Sequence, residues 1–220
     1  VCTAPYEQEP PHIAFGSSNF LVVFEDVRSG TGYADYYGVR LGTDGSVLDP
    51  NGIAITSTSD LDELYGNIAY DGSNWMVIWS NLTQTSNEIY GARVSPNGTV
   101  LDPAGFRISP AGISSSLSGI AFDGSNYLVS WQDETNFISD IIGTRVTPDG
   151  TVLDPAGITI SLANDDQRLP RLAAGGGQFL VVWQDDRNNS RRPDIFGTRV
   201  SSSGLVLDPD GIEMSLTVNK

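Results

Sequence analysis

The segment that decides the fold runs Asp140-Ile-Ile-Gly-Thr-Arg-Val-Thr-Pro-Asp-Gly-Thr-Val-Leu-Asp-Pro-Ala-Gly-Ile-Thr-Ile-Ser161, and it recurs with small changes at 35–56, 88–109 and 194–215. Its Gly-x-Arg element is repeated at spacings of 53, 52 and 54 residues. The four copies of that element are Gly38/Arg40, Gly91/Arg93, Gly143/Arg145 and Gly197/Arg199. Because a fixed period of this kind marks a repeat architecture, the chain is predicted to contain four copies of one structural unit.

An apolar segment precedes each copy and is interpreted as a further strand. These segments lie at 19–24, 74–79, 126–131 and 178–183. Short apolar runs rich in Val, Ile, Trp, Tyr and Phe, bounded by Gly, Asn and Asp turns, are typical of β-strands. No window carries a helical stripe ten residues long. Each unit is therefore predicted to form four strands, and the turn at 154–157 either bends the outer strand or splits off a fifth one.

Four such units of about 52 residues fit an all-β fold, the four-bladed β-propeller, in which sheets pack face to face around an axis. A solenoid of four β-coils is the alternative, but its rungs are usually shorter and its ends need caps. We expect a single propeller over 12–215, with blades at about 12–56, 67–109, 119–161 and 171–215. The segment 179–183 is apolar at every position, which indicates a strand buried on both faces.

The repeat also resembles a known class of sequence. Its pattern is Trp-x-Asp, then Asp-Ile-x-Gly-x-Arg-Val, then Val-Leu-Asp-Pro-x-Gly-Ile. It is similar to the propeller-like repeats of large secreted or surface-exposed bacterial proteins, and the similarity spans nearly the whole chain. The resemblance implies a propeller in an extracellular protein, but it implies little about function, because the role of such repeats is mostly unassigned.

Composition excludes several classes of partner. The 220 residues include 12 Lys and Arg against 27 Asp and Glu, which gives a net charge of −15 and a pI near 4.1. Such a surface repels nucleic acids and anionic membranes. No stretch approaches the roughly 18 apolar residues of a membrane-spanning helix. The one cysteine, Cys2, excludes an internal disulfide and every multi-cysteine metal site.

The sequence offers little for catalysis. His12 is the only histidine, so acid–base chemistry would depend on carboxylates. Acidic residues recur at two points of every unit, in the Leu-Asp-Pro turn and before the third strand. They are Asp49, Asp102, Asp154 and Asp208 in the turns, and Asp35, Glu88, Asp140 and Asp194 before the strands. Because every unit has them, we expect the turn aspartates to cap the backbone, the Gly-x-Arg arginines to pair with nearby carboxylates, and the protein not to be an enzyme.

No cofactor or metal site is expected. Calcium is the one ion for which the sequence holds suitable oxygen ligands, in Asp208-Pro-Asp-Gly-Ile-Glu213 and in Asn164-Asp-Asp166. Neither segment follows the full spacing of a calcium loop and neither repeats. Both are therefore interpreted as solvated acidic turns.

Self-association is the function that the sequence favours. Residues 1–11 are punctuated by proline and hence extended, so they are predicted to form an arm that lies along a strand edge of another copy. The residues assigned to this assembly are Cys2, Pro5, Tyr6, Pro10 and Pro11 of the arm, and Arg187, Arg191 and Arg192 of the last unit. These arginines are predicted to dock on the acidic flank of the next copy. The expectation is a secreted or cell-surface, non-catalytic homo-oligomer or filament, with a short tail at 216–220.

A carbohydrate-binding propeller is the alternative function. Propellers that bind sugars in this way place an aromatic and a polar side chain in each blade. Trp79, Trp131 and Trp183, with Asp133 and Asp185 close behind, fit that pattern, so a glycan is the possible ligand. The first unit lacks the tryptophan, and the other three end core-like strands, which weakens this interpretation.

Overall fold

A computed structural model of the chain describes residues 8–28, 30, 32–56, 61–83, 85–135, 138–188 and 192–215. Within these residues the regular secondary structure is entirely β. Sixteen strands of the described part form four antiparallel sheets of four strands each, which confirms the all-β class. In every sheet the spatial order of the strands follows the chain.

Each repeat of the sequence forms one sheet. The first sheet contains β1 (Gln8–Phe15), β2 (Asn19–Asp26), β3 (Asp35–Gly42) and β4 (Ile53–Ala54). The second contains β5 (Asp62–Tyr70), β6 (Trp75–Leu82), β7 (Asn87–Val94) and β8 (Phe106–Arg107). The third contains β9 (Ser115–Phe122), β10 (Tyr127–Asp133), β11 (Asp140–Val146) and β12 (Ile158–Ser161). The fourth contains β13 (Gln167–Gly175), β14 (Gln178–Asp185), β15 (Asp194–Ser201) and β16 (Ile212–Glu213).

The outer strand of each sheet is interrupted at the predicted turn. In the third sheet, Val152 makes a single isolated bridge to Val146 before the turn. The N–H of Gly157 then donates to the carbonyl oxygen of Asp154 at 2.9 Å, the hydrogen bond that closes a β-turn. The same bridge and turn recur in all four sheets. The segment before the turn is thus one bridge rather than a fifth strand, and the short fourth strand follows it.

The chain divides into two compact units, Val1–Arg107 and Ile108–Lys220. In the first, buried residues of the first two sheets form one core, which includes Leu21, Val23, Trp75 and Val77. In the second unit, the third and fourth sheets share another core, which consists of Leu128, Ile141, Ile160, Phe179, Val181, Trp183, Phe196 and Val200. Each unit is therefore stabilised by apolar burial between two neighbouring sheets.

Bulges in the first strands join the sheets within each unit. The register of β13 shifts between Arg168 and Arg171, and that of β5 shifts at the corresponding place. Leu169 lies in the first of these bulges with a φ of 56°, and its N–H donates to Gln132 Oε1 of the third sheet at 3.1 Å. Tyr65 does the same in the other unit, with its N–H 2.9 Å from Glu25 Oε1. A bulge re-aims the strand, and here it turns a backbone donor toward the preceding sheet.

The strand at 179–183 is not buried on both faces as predicted. Phe179, Val181 and Trp183 are buried, but Leu180 between them is 39% exposed. Its counterpart in the third sheet, Leu128, is 0% exposed. The prediction of burial on both faces is therefore wrong for β14, because the face that carries Leu180 has no comparable cover.

Part of the predicted N-terminal arm belongs to the first sheet. Residues 8–11 belong to β1, with Gln8 opposite Asp26 in the antiparallel pair. Pro10 and Pro11 lie in that strand where its register shifts, a position that needs no ladder N–H. Assigning them to a free arm was wrong, and each sheet starts four or five residues before the predicted blade. The rest of the arm, with Cys2, Pro5 and Tyr6, and the tail at 216–220 lie outside the described residues.

Candidate active site

The tryptophans of the carbohydrate-binding interpretation are core residues. Trp79, Trp131 and Trp183 are 2%, 0% and 2% exposed. Trp79 stacks on Tyr36 with ring centroids 6.3 Å apart, and Trp183 belongs to the core of the second unit. A ring that stacks on a sugar must present one face to solvent. The structure therefore contradicts the assignment of these three rings as sugar platforms.

Asp185 and Arg187 bind each other inside the fourth sheet. Asp185 Oδ2 accepts the Nε1–H of Trp183 at 2.8 Å and an Nη2–H of Arg187 at 2.7 Å. The Arg187 guanidinium also lies 4.0 Å from the ring centroid of Phe196 and donates to the carbonyl oxygen of Asp210 at 2.7 Å. These contacts contradict a sugar-binding role for Asp185 and a docking role for Arg187, because the two charges neutralise each other within the fold.

Of the other two arginines assigned to assembly, Arg191 and Arg192, the structure describes only Arg192. Arg192 is exposed, just before β15. Arg191 lies outside the described residues. The docking role of Arg191 and Arg192 therefore stays a prediction.

The Gly-x-Arg and Leu-Asp-Pro elements form an ion pair in each repeat, which confirms the predicted pairing. In the third sheet, Arg145 donates from Nε and Nη2 to the two carboxylate oxygens of Asp154, at 2.8 Å each. The same pairs join Arg40 to Asp49, Arg93 to Asp102 and Arg199 to Asp208. Hydrogen bonds from Arg199 lower the pKa of Asp208 to about 2. Because the pair is present in all four sheets, we assign it to the structure of the repeat.

Three aspartates come together at one end of the third and fourth sheets. Asp133 ends β10 and Asp140 begins β11, and the two are directly opposite each other in the antiparallel pair. Side chains in such pairs have Cβ atoms about 5 Å apart. Asp166 immediately precedes β13, and its Oδ1 accepts the N–H of Ser139 at 2.8 Å. The start of β11 is thus flanked by carboxylates from both sheets, and we call Asp133, Asp140 and Asp166 the aspartate triad.

The environment raises the pKa of Asp140. Burial is the largest cause, and the negative charges of Asp133 and Asp166 add to it. A larger fraction of Asp140 is therefore protonated near neutral pH than of an ordinary aspartate. Asp133 and Asp166 act as hydrogen-bond acceptors, from Thr135 and Ser139 respectively. One carboxyl that can donate a proton lies beside two that accept, which is the arrangement used in acid–base catalysis.

The repeats provide an internal comparison for this triad. At the position of Asp133 the first sheet has Asp26 and the fourth has Asp185, and each forms an ion pair with the arginine two residues later. In the third sheet that later residue is Thr135, whose N–H donates to Asp133 at 3.0 Å. Among the described residues, no ion pair includes Asp133 or Asp140. The third sheet keeps the acid of the repeat and lacks its neutralising cation.

Arg168 connects the triad to a buried carboxyl, Asp186. One guanidinium nitrogen lies 3.1 Å from Asp186 Oδ2, and another contacts Asp166 Oδ2. Asp186 is 3% exposed, and its Oδ1 has no hydrogen-bond partner among the residues the structure describes. Burial raises the pKa of Asp186, Arg168 opposes that shift, and Asp166 and Asp185 reinforce it. Arg168 therefore divides its charge between an accessible carboxylate and a buried one.

The acidic segment at 164–166 is not arranged as a calcium loop. The side-chain amide of Gln167 donates to the carbonyl oxygens of Ala163, Asn164 and Asp165, at 3.2, 3.4 and 2.6 Å. In the described part of the chain, no three Asp, Glu, His or Cys side chains are grouped as metal ligands. The same residues contain no helix that is long and apolar enough to cross a membrane.

Comparison with solved structures identifies the fold. A Bacillus subtilis arabinanase is 13% identical with a TM-score of 0.51, over 93% of this chain and 79% of the arabinanase. A thermostable family-43 glycoside hydrolase is 12% identical with a TM-score of 0.58, over 96% of this chain and 77% of the other. A Trypanosoma rangeli sialidase is 13% identical with a TM-score of 0.59, over 92% of this chain but 38% of the sialidase. No family model and no curated protein matches the chain.

These similarities support the propeller part of the predicted fold and correct the predicted function. At 12 to 13% identity they show the fold, which is of the propeller type found in glycoside hydrolases and sialidases. By their names, these three structures are an arabinanase, a glycoside hydrolase and a sialidase. The expectations of a non-catalytic, self-assembling protein and of a chain without enzymatic activity are contradicted by this finding.

Sequence reasoning misses the aspartate triad because it gives each of the three members a separate interpretation. It places Asp140 among the recurrent acids of the repeat, Asp133 in a sugar-binding pattern and Asp166 in a solvated acidic turn. A signal was present in the sequence. The Asp-x-Arg that follows the strand in the first and fourth repeats is replaced by Asp133-Glu-Thr135 in the third.

Proposed function

We propose that the protein cleaves glycosidic bonds, with Asp140 as the proton donor and Asp166 as its ionised carboxylate partner. The observation that carries this proposal is the aspartate triad, in which Asp140 has a raised pKa and no cationic partner among the described residues. Most glycoside hydrolases use two carboxyl groups, one protonated and one ionised, on either side of the scissile bond. The propeller-type fold shared with such enzymes supports the same chemistry.

Each member of the triad has a distinct role in this proposal. The O–H of Asp140 protonates the glycosidic oxygen as the bond to the leaving group breaks. Asp166, oriented by the N–H of Ser139, either attacks the anomeric carbon or takes a proton from the attacking water. The charge of Asp133 adds to burial in raising the pKa of Asp140 and so favours its protonated form.

A neutral glycan is the proposed substrate class. The structures with this fold include arabinanases and a sialidase, which act on neutral and anionic sugars respectively. The net charge of −15 disfavours the approach of an anionic sugar. We therefore propose arabinofuranosyl or similar neutral linkages.

The test is hydrolysis of an aryl α-L-arabinofuranoside and of arabino-oligosaccharides, with an aryl sialoside for comparison. Asp140→Asn and Asp166→Asn should each reduce kcat by about 100-fold or more, the usual contribution of acid–base catalysis. Asp35→Asn and Asp62→Asn are matched controls, because they occupy the same positions in the first unit, where Asp62 accepts the N–H of Ala34 at 3.1 Å. The controls should retain activity within a few-fold.

The pH dependence provides a second readout of the same proposal. Activity requires protonated Asp140, so it should fall on the alkaline side as the pH rises through the raised pKa of that group. Asp133→Asn removes a like charge and should move that alkaline limb to lower pH. Equal activity of Asp140→Asn and the wild type, or an alkaline limb that Asp133→Asn leaves in place, would refute the assignment.

The arrangement of the four sheets and the location of the protein are also proposals. We infer that the four sheets are the four blades of one propeller, supported by one sheet per repeat and by the propeller-type neighbours. We infer an extracellular location from the resemblance of the repeat to those of secreted proteins.

A further inference from the structure

A cleft of about 590 Å³ lies between the third and fourth sheets. Ser161 in its lining lies opposite Ile141, the residue that follows Asp140 of the aspartate triad. The cleft is bounded by the end of β12 and the segment that follows it on one side, and by residues after β14 and β15 on the other. Binding sites for small molecules usually have volumes of about 300–1,000 Å³. The cleft is therefore large enough for a short oligosaccharide.

The first wall of the cleft is formed by β12 and the segment that follows it. The strand β12 pairs with β11, and its last residue, Ser161, lies opposite Ile141. Ser161 also lines the cleft. Beyond Ser161, Gln167 is fully buried and holds the backbone of 163–165 through three hydrogen bonds. These hydrogen bonds hold the backbone of this wall in place without a ligand.

The second wall is fixed by the Arg187 contacts described above. Arg187 binds the carbonyl oxygen of Asp210, so the outer turn of the fourth sheet is held against the end of β14. Asp210 differs from the residues at the corresponding turn position of the other three repeats, which are Asn51, Ala104 and Ala156. Asp210 is exposed and lines the cleft.

The lining has the chemistry of a sugar site. Ser161, Asn164, Asn188 and Asp210 supply hydroxyl, amide and carboxylate groups that can hydrogen-bond sugar hydroxyls. Apolar contact surface comes from Leu162, Val206 and Pro209. A sugar ring presents hydroxyl groups at its edge and C–H groups on its faces, so a mixed lining of this kind suits it. An anionic ligand would be repelled by Asp210.

We propose that this cleft binds the sugar units that extend beyond the cleaved bond of a neutral oligosaccharide. The proposal rests on the proposed function, because it makes the cleft a continuation of the same substrate path. Asn164 at the cleft and Asp166 of the triad are two residues apart in one segment. An oligosaccharide bound at the triad is thereby led along that segment into the cleft.

The experiment compares arabino-oligosaccharides of two to six units in binding to the full chain, measured by calorimetry. The variants Asn164→Ala and Asp210→Ala truncate exposed side chains, so both should fold, as tryptophan fluorescence will verify. Each variant should bind the longer oligosaccharides about tenfold more weakly, the effect of one lost hydrogen bond at 1.4 kcal/mol. Binding of the disaccharide should be unchanged. Asn51→Ala is the matched control, since it alters the same turn position in the first repeat.

The outcomes separate this inference from the proposed function. If the wild type cleaves glycosides but the two variants bind every length as the wild type does, the subsite is refuted and the cleavage proposal stands. If no cleavage occurs but affinity rises with length and falls in the variants, the cleavage proposal is refuted and the subsite stands. A wild type that binds no oligosaccharide of any length overturns the subsite whatever the hydrolysis assay gives.

Discussion

Leu128 and Leu180 occupy the same place in the third and fourth repeats, and truncating each to alanine tests how the two sheets are covered. Leu128 is 0% exposed in the core of the second unit, whereas Leu180 is 39% exposed. Their backbone surroundings match. Leu128 lies opposite Ala121 and Arg145, and Leu180 lies opposite Ala173 and Arg199. The difference in stability between the two variants therefore reports burial of the side chain rather than local sequence.

The magnitudes follow from that exposure. Leu128→Ala removes a fully buried side chain and leaves a cavity, which costs about 3 kcal/mol or more. Leu180→Ala leaves no enclosed cavity and loses only part of the transfer term, about 1 to 1.5 kcal/mol. We expect a difference of about 2 kcal/mol in the free energy of unfolding.

Urea unfolding followed by tryptophan fluorescence measures this difference, because Trp131 and Trp183 lie in the same unit as both leucines. The slopes of the two unfolding curves should be equal and only the midpoints should differ. Equal losses of stability in the two variants would refute the reasoning, since they would mean that the Leu180 face is covered in solution as fully as that of Leu128.

Two further predictions concern carboxyl groups whose pKa shifts have opposite signs. Arg199→Gln should destabilise the protein at pH 7, and the difference from the wild type should disappear as the pH falls through the lowered pKa of Asp208, about 2, because that carboxyl is then protonated in either chain. Thermal melts between pH 7 and pH 2 will test this, and a constant difference would contradict it. Asp140→Asn should stabilise the protein at pH 7, because the raised pKa of Asp140 means that its charged form is disfavoured in the fold, and the gain should vanish below about pH 3.9, the unfolded value. A variant less stable than the wild type at pH 7 would count against the charge repulsion.

The fold could be predicted from the sequence wherever local chemistry decides the structure. The Leu-Asp-Pro turns, the Arg–Asp pairs and the strand order within each sheet depend on residues fewer than about 50 positions apart, and all follow from the repeat. Burial of Leu180 could not be predicted in this way, because it depends on what packs against the second face of β14. The prediction that Pro10 and Pro11 belong to a free arm was wrong for another reason. Proline lacks an N–H, but a strand residue that does not pair needs none.

The triad was harder to predict because its members come from two sheets, Asp133 and Asp140 from the third and Asp166 from the start of the fourth. Asp133 and Asp140 are seven residues apart, and only the sheet pairing sets them opposite each other. Asp166 reaches them through a hydrogen bond to Ser139 that joins two sheets. Sequence alone shows that each acid exists, but their convergence depends on packing between sheets.

The breaks in the repeat nevertheless coincide with the site that we propose. Where the repeat is regular, its acids are paired with arginines and contribute to stability, as in the four Arg–Asp pairs. In the third sheet the arginine that neutralises Asp26 and Asp185 is replaced by Thr135, and this leaves like charges close together at a cost in stability. A structural repeat gains nothing from that cost, whereas the acid–base site that we propose uses it, because burial together with the charges of Asp133 and Asp166 raises the pKa of Asp140. Asp210, which lines the cleft, likewise differs from the residues at the corresponding turn positions of the other three repeats. Both changes lie in the third and fourth sheets, which share one core, so they fall where we propose that the substrate binds.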